Sequence, residues 1–316
     1  MIAGAALLAG MLAAGWLLPH PLAWALRRQH DPVSLILWWL LAMAGVLLSG
    51  LVGVLMMVPP VHAASGAVLA GIHQDWGPLH RSLRPDEMIA GAGAAVLLSI
   101  AMTHWLVAAW RQVRRRTEWR REKVASLRLV AERRTGSPAT LWVRHEQPLA
   151  FSIGGRSSVI VITDGLTRVL HESGVAAVLA HERAHLRGRH HLIVTLADLL
   201  RAAAPFIPLF RQAPSVVRVL VELAADAEAA RHHGAAAVQS ALAVVTHTPA
   251  PGYGLGMAGG VISLRLAHLN QLTRAPRPVP RALARVTASL TAVALPFLVG
   301  VGGLATAALI CTTAKL

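Results

Sequence analysis

Two histidines and a glutamate within residues 180–185 have the types and the spacing of a metal-dependent hydrolase site. His181, Glu182 and His185 form an H-E-x-x-H motif in an apolar run rich in Ala, Val and Leu, which favours a helix. Residues four apart lie on the same helical face, so both imidazoles can bind one Zn²⁺ while Glu182 lies beside it as a general base. The motif predicts the active-site helix of a zinc peptidase.

A third metal ligand is expected from a second helical segment, residues 221–226. Glu222 would complete a His-His-Glu set that leaves the fourth zinc position open for water, as catalytic sites require. Asp226 follows one turn later on the same face, where it can accept a hydrogen bond from the outer nitrogen of a ligand histidine and fix its tautomer. The alternative is that the H-E-x-x-H pattern arose by chance and that both carboxylates are solvated helix charges.

Other titratable residues near these motifs are assigned lesser roles. Glu228 is interpreted as a solvated charge, and His190 and His191 as polar-face or outer groups, because the ligand set is already complete without them. Arg231 or His232 is a candidate to polarise the scissile carbonyl or stabilise its oxyanion.

The composition indicates a membrane protein. Of the 316 residues, 55% are hydrophobic, and the mean hydropathy of +0.54 exceeds that of ordinary soluble domains. A transmembrane helix needs about 20 apolar residues. Four segments meet this length, at about residues 2–22, 33–58, 88–110 and 286–311.

Positive charge orients the predicted spans, because Lys and Arg concentrate in cytoplasmic loops. Basic residues follow the first span, follow the third between residues 111 and 123, and precede the fourth between residues 274 and 285. On this topology three spans occupy residues 1–110 with an external loop at 59–87. Residues 111–285 form a cytoplasmic catalytic domain, and residues 286–316 form the fourth span and a short external tail. Both termini are then external.

The net charge of +15 raises the question of nucleic acid binding. The basic residues cluster beside the third span, and such a cluster is attracted to anionic lipid by about 1 kcal/mol per residue. We therefore expect a bilayer containing anionic lipids as a partner and no direct contact with nucleic acid. Cys311 is the only cysteine, which excludes a disulfide scaffold.

The catalytic segment is predicted to contain a small sheet beside the zinc helix. A charged helical stretch reaches about residue 134, and β-branched runs follow at residues 140–143, 149–153 and 159–163. Residues 151–154 are a candidate free edge that could pair with an extended substrate backbone, although an ordinary core strand is the alternative.

The segments after the zinc motif are predicted to be helical. The zinc helix is expected to continue toward residue 200. Residues 192–210 contain two prolines and two charges, which favour a broken, interfacial hairpin over a fifth span.

The paired motifs and the predicted topology resemble the BlaR/MecR-type membrane metallopeptidases, whose zinc domain lies between the third and fourth of four spans. The matching residues are 181–185 with the basic tail 186–190, and 222–226. The resemblance implies a gluzincin domain in which His181, His185 and Glu222 bind zinc and Glu182 is the base, with a cytoplasmic winged-helix repressor as substrate. Antibiotic-sensing members carry a penicillin-binding sensor domain beyond the last span. This sequence ends at Leu316, so direct β-lactam sensing is not expected.

The zinc signature also resembles the HtpX/CAAX-protease-like group, and residues 148–151 and 159–166 look like the substrate-edge region of that group. The predicted fold is mainly α and integral to the membrane, with four transmembrane helices and an α+β gluzincin domain inserted between spans 3 and 4. The predicted function is a zinc metalloendopeptidase of the bacterial cytoplasmic membrane that cleaves a protein on the cytoplasmic side, within a signalling pathway. An HtpX-like quality-control or processing protease and a non-catalytic, zinc-stabilised signalling protein are the alternatives, and a homo-oligomer is left open.

Overall fold

The computed structural model describes residues 2–28, 30–57, 85–246 and 255–272, together with positions 294 and 298. Most of the predicted external loop (59–87) and of the predicted fourth span (286–311) lies outside the described residues. The helices and strands below belong to the described part of the chain.

Three helices form the N-terminal part: α1 (Ile2–Leu17), α2 (Pro19–Arg27) and α3 (Pro32–Met57). In the described residues, two helical stretches have the length and apolar composition to cross a membrane, Ala5–Arg27 and Pro32–Leu55. The second agrees with the predicted span at 33–58, whereas the first continues beyond residue 22 through α2. The Met11 side chain of α1 packs directly on Gly50 of α3, where a Cβ atom would lie 2.3 Å from the Met11 sulfur.

A 46-residue helix, α4 (Pro85–Val130), contains both the predicted third span and the basic stretch that follows it. Several apolar side chains of its first half are exposed, among them Ile89 and Leu97. The helix ends at Val130 rather than at about residue 134. This part of the prediction was wrong because Gly136, with a φ of 72°, turns the chain so that residues 133–135 pair as a strand.

The sheet has four strands, β1 (Arg133–Thr135), β2 (Ala139–Val143), β3 (Ala150–Ile153) and β4 (Val159–Thr163), in the order β1-β2-β4-β3. β2 and β4 are parallel, and the two outer pairings are antiparallel. Every residue of the apolar β4 is buried, which places this strand at the centre of the sheet. β3 pairs with β4 on one side and forms an edge of the sheet, as predicted for residues 151–154.

The remaining helices surround the predicted zinc motif: α5 (Asp164–Val169), α6 (Glu172–Arg187), α7 (His190–Ala203), α8 (Pro208–His233), α9 (Ala235–Thr246) and α10 (Leu255–Leu272). The expectation of one helix from the zinc motif to residue 200 was wrong. Arg189 adopts the left-handed conformation with a φ of 48°, which a right-handed helix cannot accommodate. The chain therefore ends α6 at Arg187 and begins a separate helix at His190.

The predicted break within residues 192–210 is present, because α7 ends at Ala203 and α8 starts at Pro208, where a proline at the first helical position costs no hydrogen bond. One hydrophobic core joins α8 to the N-terminal helices, and it includes Trp39 and Met43 of α3 with Val217 and Leu220 of α8. The helix that carries Glu222 is thus packed directly against the most apolar helices of the chain.

Candidate active site

The H-E-x-x-H residues lie on α6, and the predicted carboxylates lie on α8, which packs against it. Small residues make this contact close: Ala177 and Ala180 of α6 share a buried cluster with Ala229 of α8. His181 and His185 lie on one face of α6, and Glu222 and Asp226 lie on one face of α8. The helix packing therefore brings together four residues that sequence analysis selected from two separate segments.

His181, His185 and Glu222 offer ligand atoms that all lie within 4.8 Å of one another. The Nε2 atoms of the two histidines are 3.0 Å apart, and each lies 3.5 Å from a carboxylate oxygen of Glu222. Ligand atoms around a tetrahedral zinc ion with bonds near 2.0–2.1 Å are separated by about 3.3 Å. The spacing of these atoms therefore fits one zinc ion held by two imidazoles and a carboxylate.

Glu182 lies beside this cluster and is buried. Burial raises the pKa of its carboxyl, which the charge of His181 and, to a smaller extent, a hydrogen bond from the Ser152 side chain partly offset. Ser152 belongs to the edge strand β3, so this contact joins the sheet edge to the predicted general base.

Asp226 is fully buried and forms the contact that was predicted for it. Its Oδ1 atom lies 2.9 Å from Nδ1 of His181, which leaves the Nε2 atom of that ring facing the metal cluster. Burial alone would raise the pKa of Asp226, but hydrogen bonds from Arg265 and His181 outweigh it and hold the pKa at about 2. Asp226 is therefore an anion under ordinary conditions.

Arg265 of α10 is the site residue that sequence analysis missed. Its guanidinium donates to both oxygens of Asp226, at 2.7 and 2.8 Å, and its Nη1 atom lies 3.3 Å from Glu222. Arg265 follows Asp226 by 39 residues and belongs to no recognisable motif. The available signal was that Arg265 is the only Lys, Arg, Asp or Glu of α10, because buried arginines require an anionic partner.

The two histidines of the motif differ in their charge. Burial lowers the pKa of His181, but the hydrogen bonds to Asp226 and Glu222 outweigh it and raise that pKa to about 9. Burial lowers the pKa of His185 to about 4, with Glu222 opposing the change. For Glu222, the hydrogen bond with His181 outweighs burial and lowers the pKa to about 2. Without metal, one imidazolium therefore lies among carboxylates, while the second imidazole is neutral.

The cluster lies at the base of a cavity of about 430 Å³. One wall is the edge strand, with Ala150, Phe151 and Ser152. The lining also includes the aliphatic residues Val178 of α6 and Val238, Ala241 and Leu242 of α9. The cavity is therefore lined by residues of the edge strand, by aliphatic side chains and by the cluster.

His190 and His191 occupy separate positions near the cluster. The Nδ1 atom of the buried His190 lies 2.8 Å from Nδ1 of His185, so His190 approaches the outer nitrogen of a ligand rather than the ligand cluster. His191 lines the cavity and packs over Gly154, where a Cβ atom would lie 2.2 Å from the imidazole. In the described part of the chain, the group of possible metal ligands comprises His181, His185 and Glu222.

Arg231 and His232 do not reach the cavity. They lie in the last turn of α8, where their side chains are 72% and 55% exposed and both pair with Glu228. Helical geometry turns them away from the face that carries Glu222 and Asp226. They are therefore unsuitable as the oxyanion stabilisers that the sequence suggested, and Glu228 is an ion-paired charge that also contacts Arg187.

Comparison with known proteins identifies similarity across the same segment. The model of peptidase family M48 matches residues 114–246, which is less than half of the chain. A protease HtpX homolog from Acidiphilium cryptum is 30% identical over 130 residues, covering 37% of this chain and 45% of the relative. A protease HtpX homolog from Thermococcus sibiricus is 35% identical over 77 residues, covering 24% of this chain and 26% of the relative. The HtpX homolog from Pelotomaculum thermopropionicum is 41% identical over 63 residues, or 19% and 22% of the two chains.

The chain thus spans less than half the length of these curated relatives. No solved structure matches it. The segment that matches the M48 family model contains the His181, His185 and Glu222 cluster.

Proposed function

We propose that this protein is a membrane-embedded zinc metalloendopeptidase that cleaves a protein or peptide substrate on the cytoplasmic side of a bacterial membrane. The observation that carries the proposal is the cluster of His181, His185 and Glu222, whose ligand atoms lie within 4.8 Å of one another beside the buried Glu182. These three residues leave a coordination position for water or substrate, which distinguishes catalytic from structural zinc sites.

His181, His185 and Glu222 would hold the ion. When bound, zinc supplies Lewis acidity, which polarises a carbonyl group and makes water acidic enough to act as a nucleophile near neutral pH. Asp226 keeps Nε2 of His181 directed at the cluster. Arg265 balances the charge of Asp226 and Glu222, so that two carboxylates can lie next to each other in a partly buried site.

Glu182 is the proposed general base. It would take a proton from water as the water oxygen attacks the scissile carbonyl carbon, and would then deliver that proton to the leaving amine. Burial raises its pKa, which makes the carboxylate a stronger base, and Ser152 of β3 lowers that pKa in part. Glu182, which would carry the proton, thus lies between the β3 edge and the ligand cluster.

The substrate backbone is proposed to pair with β3. An edge strand presents unpaired N–H and C=O groups to which an extended peptide can add as a further strand. Residues 150–152 and Gly154 line the same cavity as Glu182. A peptide held on this edge would have its scissile bond near the base, with side chains near the aliphatic residues that line the cavity.

We favour an HtpX-like processing or quality-control protease over a BlaR/MecR-type sensor that cleaves a winged-helix repressor. The reason is that the curated relatives reported above are proteases named HtpX homologs. We further propose that anionic lipid contacts the exposed basic residues of α4. Its Trp119 is 60% exposed among those residues, a position suited to the headgroup region.

The proposal can be tested on the full-length protein in detergent by measuring zinc content and casein cleavage. Glu182→Gln should retain zinc and lose activity by a factor of about 10² to 10⁴, the usual contribution of a general base. His185→Ala should lose both zinc and activity. Glu172→Gln is the matched control, because Glu172 is an exposed glutamate in the first turn of the same helix.

Two results would overturn the proposal. One is wild-type protein that binds no zinc, and the other is undiminished cleavage by Glu182→Gln. Zinc bound by four protein side chains, with no cleavage by the wild type, would support the non-catalytic alternative instead.

A further inference from the structure

We propose that His190 is a positioning residue that fixes the ring orientation and the tautomer of the metal ligand His185. The inference rests on the zinc site of the proposed function and goes beyond its three ligands. It assigns to His190 the part that Asp226 plays for His181.

The geometry divides the two nitrogens of His185 between two neighbours. Its Nε2 atom faces the cluster, 3.0 Å from Nε2 of His181 and 3.5 Å from Glu222. Its Nδ1 atom lies 2.8 Å from Nδ1 of His190, a good hydrogen-bond distance. A neutral imidazole that binds metal through Nε2 carries its proton on Nδ1, so His185 donates and His190 accepts.

His185 donates to the neutral ring of His190, whereas His181 contacts the carboxylate of Asp226. The two ligand histidines therefore differ in the charge of their neighbours. Asp226 is an anion that strengthens the electron donation of His181, whereas His190 orients His185 without adding charge. The cluster already contains the carboxylates of Glu182, Glu222 and Asp226, with Arg265 paired to the last two. A further carboxylate next to His185 would add repulsion that an imidazole avoids.

The chain between α6 and α7 packs closely against the His190 ring. Gly188 has a φ of −72°, which any residue can adopt, so its backbone conformation does not require glycine. The space around Gly188 does require glycine, because a Cβ atom there would lie 2.4 Å from Nε2 of His190. Arg189 then takes the left-handed conformation, which folds the first residue of α7 back onto the end of α6.

The rest of α7 is anchored so that His190 stays in place. Asp198 accepts hydrogen bonds from Arg116 of α4 at 2.7 Å and from Arg218 of α8 at 3.0 Å. Arg116 also donates to Thr195. Two helices therefore hold α7 at a point two turns beyond His190, which limits how far the ring can withdraw from His185.

The test compares variants that separate hydrogen bonding from packing, in full-length protein loaded with zinc or cobalt. His190→Phe keeps a ring but removes the acceptor, whereas His190→Asn places an amide oxygen near the position of Nδ1 and restores it. We expect the zinc dissociation constant, measured by competition with a chelator, to rise about 10- to 100-fold in His190→Phe. In His190→Asn it should stay within about threefold of wild type. His233→Phe is the control, since His233 is exposed at the end of α8.

The absorption spectrum of the cobalt-substituted protein reports ligand geometry and would change in His190→Phe but not in His190→Asn. A merely structural role would instead make the two variants alike. If His190→Phe does not fold, Gly188→Ala provides the same test, because its methyl group displaces the ring. The effect of Gly188→Ala should be smaller in the His190→Asn background.

A dissociation constant in His190→Phe equal to that of wild type would overturn the inference while leaving the proposed function intact. Equal weakening in His190→Phe and His190→Asn would also overturn it. Failure of the wild-type protein to bind zinc would overturn both.

Discussion

Replacing Arg265 with leucine should destabilise the protein by about 3 kcal/mol, because it leaves the buried Asp226 carboxylate without its main partner. Asp226 has no exposed side-chain area, and the Arg265 side chain is only 17% exposed. Removing one member of a buried ion pair costs about 3–5 kcal/mol. We expect the lower end of this range, since Nδ1 of His181 remains 2.9 Å from Asp226 in the variant.

The pKa of Asp226 gives a second route to the magnitude. A carboxyl whose pKa is held at about 2 rather than the usual 3.8 gains about 2.5 kcal/mol of stability at neutral pH. Because the pKa is lower in the folded state, this contribution is present above pH 3.8 and is lost as the pH falls through 2. The cost of removing one member of a buried ion pair and the pKa shift therefore agree that Asp226 and its partners contribute a few kcal/mol to the stability of the fold.

The assay is thermal unfolding of the metal-free protein near neutral pH, in wild-type and Asp226→Asn backgrounds. A loss of about 3 kcal/mol corresponds to a fall in Tm of about 4–5 °C for a protein of this size, at an unfolding entropy of about 2.1 cal/mol/K per residue. Arg231→Leu is the matched control, because Arg231 pairs with Glu228 at an exposed site and should cost less than about 1 kcal/mol. The reasoning is refuted if Arg265→Leu costs no more than the control, or costs the same in both backgrounds.

Three further results are expected. Ser152→Ala removes a hydrogen bond that lowers the pKa of Glu182, so the acid limb of the cleavage rate should move to higher pH; an unmoved limb would contradict this contact. The pKa of His181 is about 9 without metal. Zinc binding at about pH 7.5 should therefore release a proton from His181, whereas binding above about pH 10 should not. Calorimetry in buffers of different ionisation enthalpy measures this proton release. Absence of proton release at about pH 7.5 would refute the assignment of the raised pKa to His181. Gly154→Ala should push His191 into the cleft and raise KM without changing zinc content, whereas an unchanged KM would show that the ring lies clear of the substrate.

Local patterns in the sequence were sufficient for the four residues at the centre of the site. His181 and His185, like Glu222 and Asp226, are four residues apart on one helix, and helical geometry alone puts each pair on one face. The strands of the catalytic segment were predictable for a similar reason, since the β-branched run at residues 159–163 favours an extended conformation. The apolar length of the two N-terminal helical stretches likewise follows from composition.

Tertiary structure decided which other side chains join these four residues of the site. Arg265 is 39 residues from Asp226 and reaches it because α10 packs on α8, a contact with no local sequence signature. His190 returns to His185 because Arg189 takes a left-handed conformation that helix propensity did not predict. Arg231 and His232 had suitable charges for a catalytic role, but their position at the end of α8 directs them to solvent and to Glu228. Residue type and spacing within one helix thus selected the candidate metal ligands and the candidate base. The partners that contact them depend on how separate helices pack, which is a property of the whole chain.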